Sequence, residues 1–96
     1  MLKRNNNANY LFEKGKSFYK NELYSEAIEY LLKAKDLNPN DANLWFTLSD
    51  VYKAAALYKE SVNSLQKRIK LYPNEVLCWT ELVDMYERNK QYDKSV

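Results

Sequence analysis

Large apolar residues recur at steps of three and four along most of this chain. Trp45, Leu48 and Tyr52 follow that step, and so do Trp79, Leu82 and Tyr86. Tyr58, Val62, Leu65 and Ile69 repeat it, as do Leu23, Ala27, Leu31 and Ala34. Each set lines one face of an α-helix, with polar residues filling the other positions. The spacing predicts helices over about 9–20, 25–37, 42–54, 58–71 and 76–88, with a stub at 92–96. No segment alternates with the two-residue period of a strand, so the expected class is all-α.

The helices are punctuated at a fixed interval. "DLNPNDANLWFTL" and "KLYPNEVLCWTEL" lie 34 residues apart, and the same shift aligns Leu11, Trp45 and Trp79. It also aligns Phe18 with Tyr52 and Tyr86, Tyr24 with Tyr58 and Tyr92, and Ala27 with Ser61 and Ser95. Leu31 meets Leu65, and Pro39 meets Pro73. Proline lacks an amide donor and restricts the residue before it, so Pro39 and Pro73 close the second and fourth helices. Asn40 and Asn74 then stand where an N-cap is expected, with Asp41 and Glu75 in the first turn beyond. Short links predict antiparallel neighbours.

The composite pattern W-x2-L-[small]-x2-Y…Y-x2-[small]-x3-L…P at this period resembles the tetratricopeptide repeat. One unit runs over 8–41 through Leu11, Gly15, Phe18, Tyr24, Ala27, Leu31, Ala34 and Pro39. A second covers 42–75, a partial third covers 76–96, and residues 1–7 precede them as a disordered or capping segment. Three departures stand out: Lys14 at an apolar position, Arg68 where Ala is usual, and Val83 where the family has a small residue. Glu22, Ala56 and Lys90 take the place of the usual turn glycine. Asn21 and Asn89 are expected to supply the left-handed conformation instead. "AAA" at 54–56 leaves its turn less defined, so that helix can run on.

The resemblance implies a right-handed superhelical solenoid of antiparallel helix pairs, about two and a half repeats long. It also implies a protein–protein interaction module whose first helices line a concave groove. Carried over by position, the groove comprises Asn9, Phe12, Lys16 and Tyr19 in the first unit. The second contributes Asn43, Phe46, Asp50 and Lys53, and the third Leu77, Thr80, Asp84 and Glu87. Phe12, Tyr19, Phe46 and Leu77 form an apolar band with polar flanks, as a peptide or helix groove requires. Packing between adjacent repeats is the competing use of those side chains. The carboxylate clamp of chaperone-tail binders has no counterpart: its positions hold Phe12, Lys16, Thr47, Leu77 and Glu81.

Composition narrows the rest. The 96 residues carry 15 basic and 13 acidic side chains, a net charge of +2 that gives no electrostatic case for nucleic acid or membrane. The chain has one Cys and no His, which leaves no disulfide framework and no Cys/His metal site. Neither a catalytic group nor a cofactor is expected, and the only glycine forms no phosphate loop. Cys78 shares its register with Tyr10 and Leu44 and reads as a small, inert core residue. "QKRIK" at 66–70 reads as a solvated face, with the Arg68 stem lying over the neighbouring helix. The opening decapeptide is polar, so no export signal is expected, and no run approaches a membrane span. The cytoplasm is the expected setting, with the nucleus left open.

Two alternatives remain at this level. One is a scaffold piece whose open C-terminal end docks onto further repeats, another subunit or a second copy through the last helix. On that reading Val83, Tyr86 and Tyr92 are more exposed than Ser49, Tyr52 and Tyr58. The other is RNA binding by a related helical repeat, whose usual 35-residue period the spacing of 34 opposes.

Overall fold

The computed structural model describes the backbone of residues 3–95 and the side chains of residues 7–91. Its element order is α1 (Lys3–Lys20), α2 (Tyr24–Leu37), α3 (Ala42–Ala54), α4 (Tyr58–Leu71) and α5 (Val76–Ser95). Among the described residues there is no strand. Each helix packs on the next in sequence, and α1 also touches α3. This is the stacking that a helical repeat needs, because no single pair can cover its own apolar face.

The core is built in two layers that take in part of the periodic pattern: Trp79, Tyr86 and Leu23 of that pattern are exposed, and Val51 and Met85 are buried beside it. Ala27, Leu31, Ala34, Leu44, Leu48 and Val51 form the first. Val62, Leu65, Ile69, Cys78, Leu82 and Met85 form the second. Small residues set the spacing within each pair. A Cβ on Gly15 would lie 2.7 Å from Leu31 Cγ, so α1 and α2 meet closer than any side chain there permits. At the same register α3 carries Ser49, whose Oγ lies 2.9 Å from Ser61 Oγ. Ser61 Oγ also donates to the Ser49 carbonyl at 3.0 Å, so both buried hydroxyls are satisfied.

The Pro-to-Trp spacing has a direct physical cause. Trp45 Nε1 donates to the Pro39 carbonyl at 2.7 Å, and Trp79 Nε1 does the same to Pro73. Each indole thereby fixes the turn that precedes its own helix.

Several expected boundaries shift. The caps are displaced by one residue: Asn40 and Asn74 lie in the turn, and Asp41 caps α3 by accepting from the Asn43 amide at 3.0 Å. Within the pairs, Glu22 and Ala56 themselves take the left-handed conformation, each at φ 61°, and Asn21 does not. The reason is a repeated C-cap. Leu23 N donates to Phe18 O and Glu22 N to Tyr19 O, and Leu57 and Ala56 bond to Tyr52 and Lys53 in the same way. These are the paired bonds of a Schellman motif, and they stop α3 at Ala54 despite the run of alanines.

The third turn does not form. Asn89 and Lys90 remain helical, and α5 runs on to Ser95. Tyr92 and Ser95, expected in a second helix of the third unit, therefore belong to α5; their side chains lie outside those described. α1 begins at Lys3, inside the segment expected to be disordered or capping.

Candidate functional site

Helices α1, α3 and α5 carry the twelve expected groove positions. On α1, Phe12, Lys16 and Tyr19 are half-buried and Asn9 is exposed. Lys16 Nζ lies 4.9 Å from the Phe12 ring centroid and 3.4 Å from Glu13 Oε2. The Tyr19 ring stands 6.1 Å from that of Tyr24. On α3, Phe46, Asp50 and Lys53 are half-buried and Asn43 is exposed. On α5, Leu77, Thr80 and Glu87 are exposed and Asp84 is half-buried. Thr80 Oγ1 donates to the Val76 carbonyl at 3.0 Å, and Asp84 pairs with Arg88 at 3.2 Å.

Three of these positions meet in a charged cluster that joins the helices. Burial pushes the Tyr19 phenol up, and the Asp50 carboxylate adds to that shift while Lys53 opposes it. Burial likewise raises the Asp50 carboxyl, against the pull of Lys53 and with the push of Glu81. Lys53 Nζ reaches Glu81 Oε1 across to α5 at 3.4 Å. Glu81 stands at a clamp position without the clamp residue, yet it closes this cluster.

Two clefts lie apart from the cluster residues, and they occupy the same register in successive repeats. The first, of about 150 Å³, is lined by Phe12, Ala34, Asp41 and Leu44 together with Ala8, Asn9 and Asn38. The second, of about 290 Å³, is lined by Phe46, Arg68, Glu75 and Cys78 with Val76 and Leu77. Phe12 and Phe46 thus wall equivalent spaces, and Leu77 lines the second. Asp84, Glu87 and Thr80 line neither cleft.

Arg68 is the residue that sequence reasoning misplaced. Its side chain is only 13% exposed, and the guanidinium points inward. Nε and Nη2 donate to Glu75 Oε1 and Oε2 at 2.9 and 3.0 Å, and Nη1 donates to the Ala42 carbonyl at 2.6 Å. The guanidinium carbon also lies 5.1 Å from the Phe46 ring centroid. Register was the available signal, since Arg68 stands where the first unit has the buried Ala34. Cys78 is buried as expected, and its thiol is polar-contacted, with Arg68 Nε at 3.1 Å. Burial and the Glu75 hydrogen bond push that thiol up, so it is held as the unreactive thiol.

Among the described residues no helix is long and apolar enough to cross a membrane. No three metal-capable side chains cluster there either.

Stacked helix pairs with small residues at the crossings, Pro-closed turns and repeat-related clefts define a helical-repeat interaction fold. Models of the tetratricopeptide repeat match residues 8–41 and 42–75. The chain belongs to the tetratricopeptide repeat family. Among 44 matching solved chains is one described as a mutant of MamA, with a TM-score of 0.80 at 21% identity. That alignment covers 94% of this chain and 66% of the other, and it shows a shared fold. No curated protein matches the sequence.

Proposed function

We propose that this protein binds an extended or helical protein segment along the face shared by α1, α3 and α5. Tetratricopeptide repeats are in general protein–protein interaction modules, and this reading specifies the surface and the chemistry. Recognition is by shape and apolar contact, without a carboxylate clamp and without catalysis. The observation that carries it is the pair of repeat-related clefts, each walled by a phenylalanine at the same register. A segment with apolar side chains at matching spacing would seat one in each. Half-buried Phe46 and exposed Leu77 offer that segment apolar area beside a rigid, hydrogen-bonded wall. A cytoplasmic setting suits the lone unpaired cysteine.

Peptides selected from a displayed random library for binding to the full chain test this. Truncating a central aromatic anchor costs about 2 kcal/mol of binding or more, so Phe46→Ala is expected to weaken the selected peptides about 30-fold. Phe12→Ala weakens them less, because its cleft is smaller. Peptides whose affinity ignores both substitutions would place recognition elsewhere. A second reading, docking through the exposed face of α5, is favoured by one observation: Val83 and Tyr86 are 56% and 49% exposed, whereas Ser49 is 3% exposed and Tyr52 half-buried.

A further inference from the structure

We propose that the outer face of α5 is a self-association surface, on which two copies of the chain pair antiparallel about Val83. This surface is separate from the α1–α3–α5 face and does not depend on the reading given to that face. Val76, Trp79, Val83 and Tyr86 fall at steps of three and four on one side of α5 and are 76, 47, 56 and 49% exposed. The adjoining face of α5, carrying Cys78, Leu82 and Met85, is already buried against α4, with the stripe along its exposed edge.

The repeat shows what an occupied version of this face looks like. One unit earlier the same positions are Ala42, Trp45, Ser49 and Tyr52: α4 meets Ser49 through Ser61 and Ala42 through Arg68, while Trp45 and Tyr52 pack against the first core layer. The third unit cannot take a helix in that geometry. At Gly15 the crossing leaves no room for a Cβ, which would lie 2.7 Å from Leu31 Cγ, and at Ser49 a small hydroxyl packs 2.9 Å from Ser61 Oγ. Val83 brings two branched methyls to that register. A covering helix must stand further off and present a bulky ridge of its own, which packs between the ridges of α5. A second α5 has such a ridge. The aromatic pair is close to symmetric about Val83, with Trp79 four residues before it and Tyr86 three after, while Val76 seven before falls opposite Lys90 seven after. Antiparallel pairing about that point sets Trp79 of each copy near Tyr86 of the other, the isologous contact of a twofold dimer.

Size sets the strength. Four side chains at these exposures offer on the order of 400 Å² per copy, about half of the roughly 800 Å² per partner in a standard interface. The dimer is therefore weak, with a Kd expected in the micromolar to millimolar range.

Sedimentation equilibrium of the full chain from about 10 µM to 1 mM tests the proposal. A reversible monomer–dimer equilibrium is expected. Val83→Glu is expected to abolish it while leaving the circular dichroism spectrum and melting temperature in place, because Val83 is exposed and lies outside both core layers. Phe46→Ala is expected to leave it intact, which separates this surface from the peptide groove. Val83→Ser should weaken the dimer about tenfold. A chain monomeric throughout, or a dimer that survives Val83→Glu, overturns the proposal. So does tighter binding of a synthetic α4 peptide (residues 58–71) to Val83→Ser than self-association of the parent. That result would mean the face takes an ordinary second helix.

Discussion

The junction between α2 and α3 and the junction between α4 and α5 share a backbone and differ in how three linked side chains pack on it. In both, the residue after the helix donates back to the carbonyl four before it, Asn38 to Ala34 and Tyr72 to Arg68. In both, a tryptophan binds the turn proline's carbonyl at 2.7 Å. The first junction then uses Ala34, Asp41 and Leu44, and the second Arg68, Glu75 and Cys78. Where Ala34 leaves space, Leu44 fills it. Where Arg68 fills it, Cys78 makes room. Asp41 is short and turns back to cap α3, whereas Glu75 is one methylene longer and gives both oxygens to the guanidinium. Arg68 in turn reaches the Ala42 carbonyl at the start of α3. A repeat position therefore does not fix a residue type. It fixes a backbone setting that three neighbours fill together, by apolar packing in one repeat and by a hydrogen-bonded ion pair in the next.

Breaking the second junction should give the largest effect. Arg68→Ala removes charge-assisted hydrogen bonds from a mostly buried site and leaves a cavity, at a cost of about 3 kcal/mol. Urea denaturation reads this directly. Cys78→Leu alone should also destabilise, by about 1–3 kcal/mol, because leucine overpacks against the guanidinium. The sharper test rebuilds the first junction in the second. Arg68→Ala, Glu75→Asp and Cys78→Leu together should recover most of the lost stability, so the single costs will not add. Additive losses would mean that the three positions are independent and the comparison is empty.

The two caps differ in the same sense. Asp41→Ala should cost about 1 kcal/mol, the usual loss when an N-cap side chain goes. Asn40→Ala and Asn74→Ala should each stay within about 0.5 kcal/mol. If Asn40→Ala proves the costlier substitution in thermal melts, the cap belongs to Asn40 after all. This one-residue displacement shows where sequence reading loses its grip. Asn40 and Asp41 are both good capping types and adjacent, so composition cannot choose between them. The choice is made by the turn, which uses Pro39 and Asn40 to reverse the chain. By contrast, the helices and the family were legible, because each rests on many residues repeated in one register, whereas the core faces were legible only in part, since Trp79 and Tyr86 are about half exposed and Val51 and Met85 are buried. The inward turn of Arg68 was not, because it depends on Glu75 and Cys78 seven and ten residues away.

The pair turns extend the contrast to a third unit. Glu22 and Ala56 sit at φ 61°, a conformation that costs a residue with a Cβ about 1–2 kcal/mol. Part of that cost returns as unfolded-state freedom on substitution, so Glu22→Gly and Ala56→Gly should each stabilise by about 0.5–1 kcal/mol. Lys90 holds the same register inside α5, where Lys90→Gly should destabilise by up to about 1 kcal/mol. Urea midpoints of the three variants carry the test, and the opposite sign at one register is what it looks for. A gain at all three would mean that the third turn forms in solution. Sequence could not show this difference, since Asn89 before Lys90 looks as fit for a turn as Asn21 before Glu22. The strained turn forms only where a second helix packs back and offsets its cost, and here the chain continues as α5.

The smallest effect is a pH dependence in which the second junction and the charged cluster oppose each other. The Arg68 and Cys78 hydrogen bonds hold the Glu75 carboxyl below its ordinary 4.5. Its ionised form is thus favoured by folding, and that contribution is fully present above 4.5 and lost as pH falls through the lowered value. Asp50 runs the other way. Burial, with the help of Glu81, raises it above its ordinary 3.8 in spite of Lys53. The folded chain then holds a proton that the unfolded chain has lost, so stability falls as pH rises through the window above 3.8. Asp50→Asn should raise the urea midpoint at pH 7 and make no difference at about pH 2.5, where both forms are neutral. Glu75→Gln should lower the midpoint at pH 7 and lose its effect in acid. An Asp50→Asn variant less stable than the parent at pH 7 would mean that the Lys53 attraction outweighs the burial of the Asp50 charge. The cluster would then stabilise the fold as the Arg68–Glu75 pair does, and the two regions would no longer differ in sign.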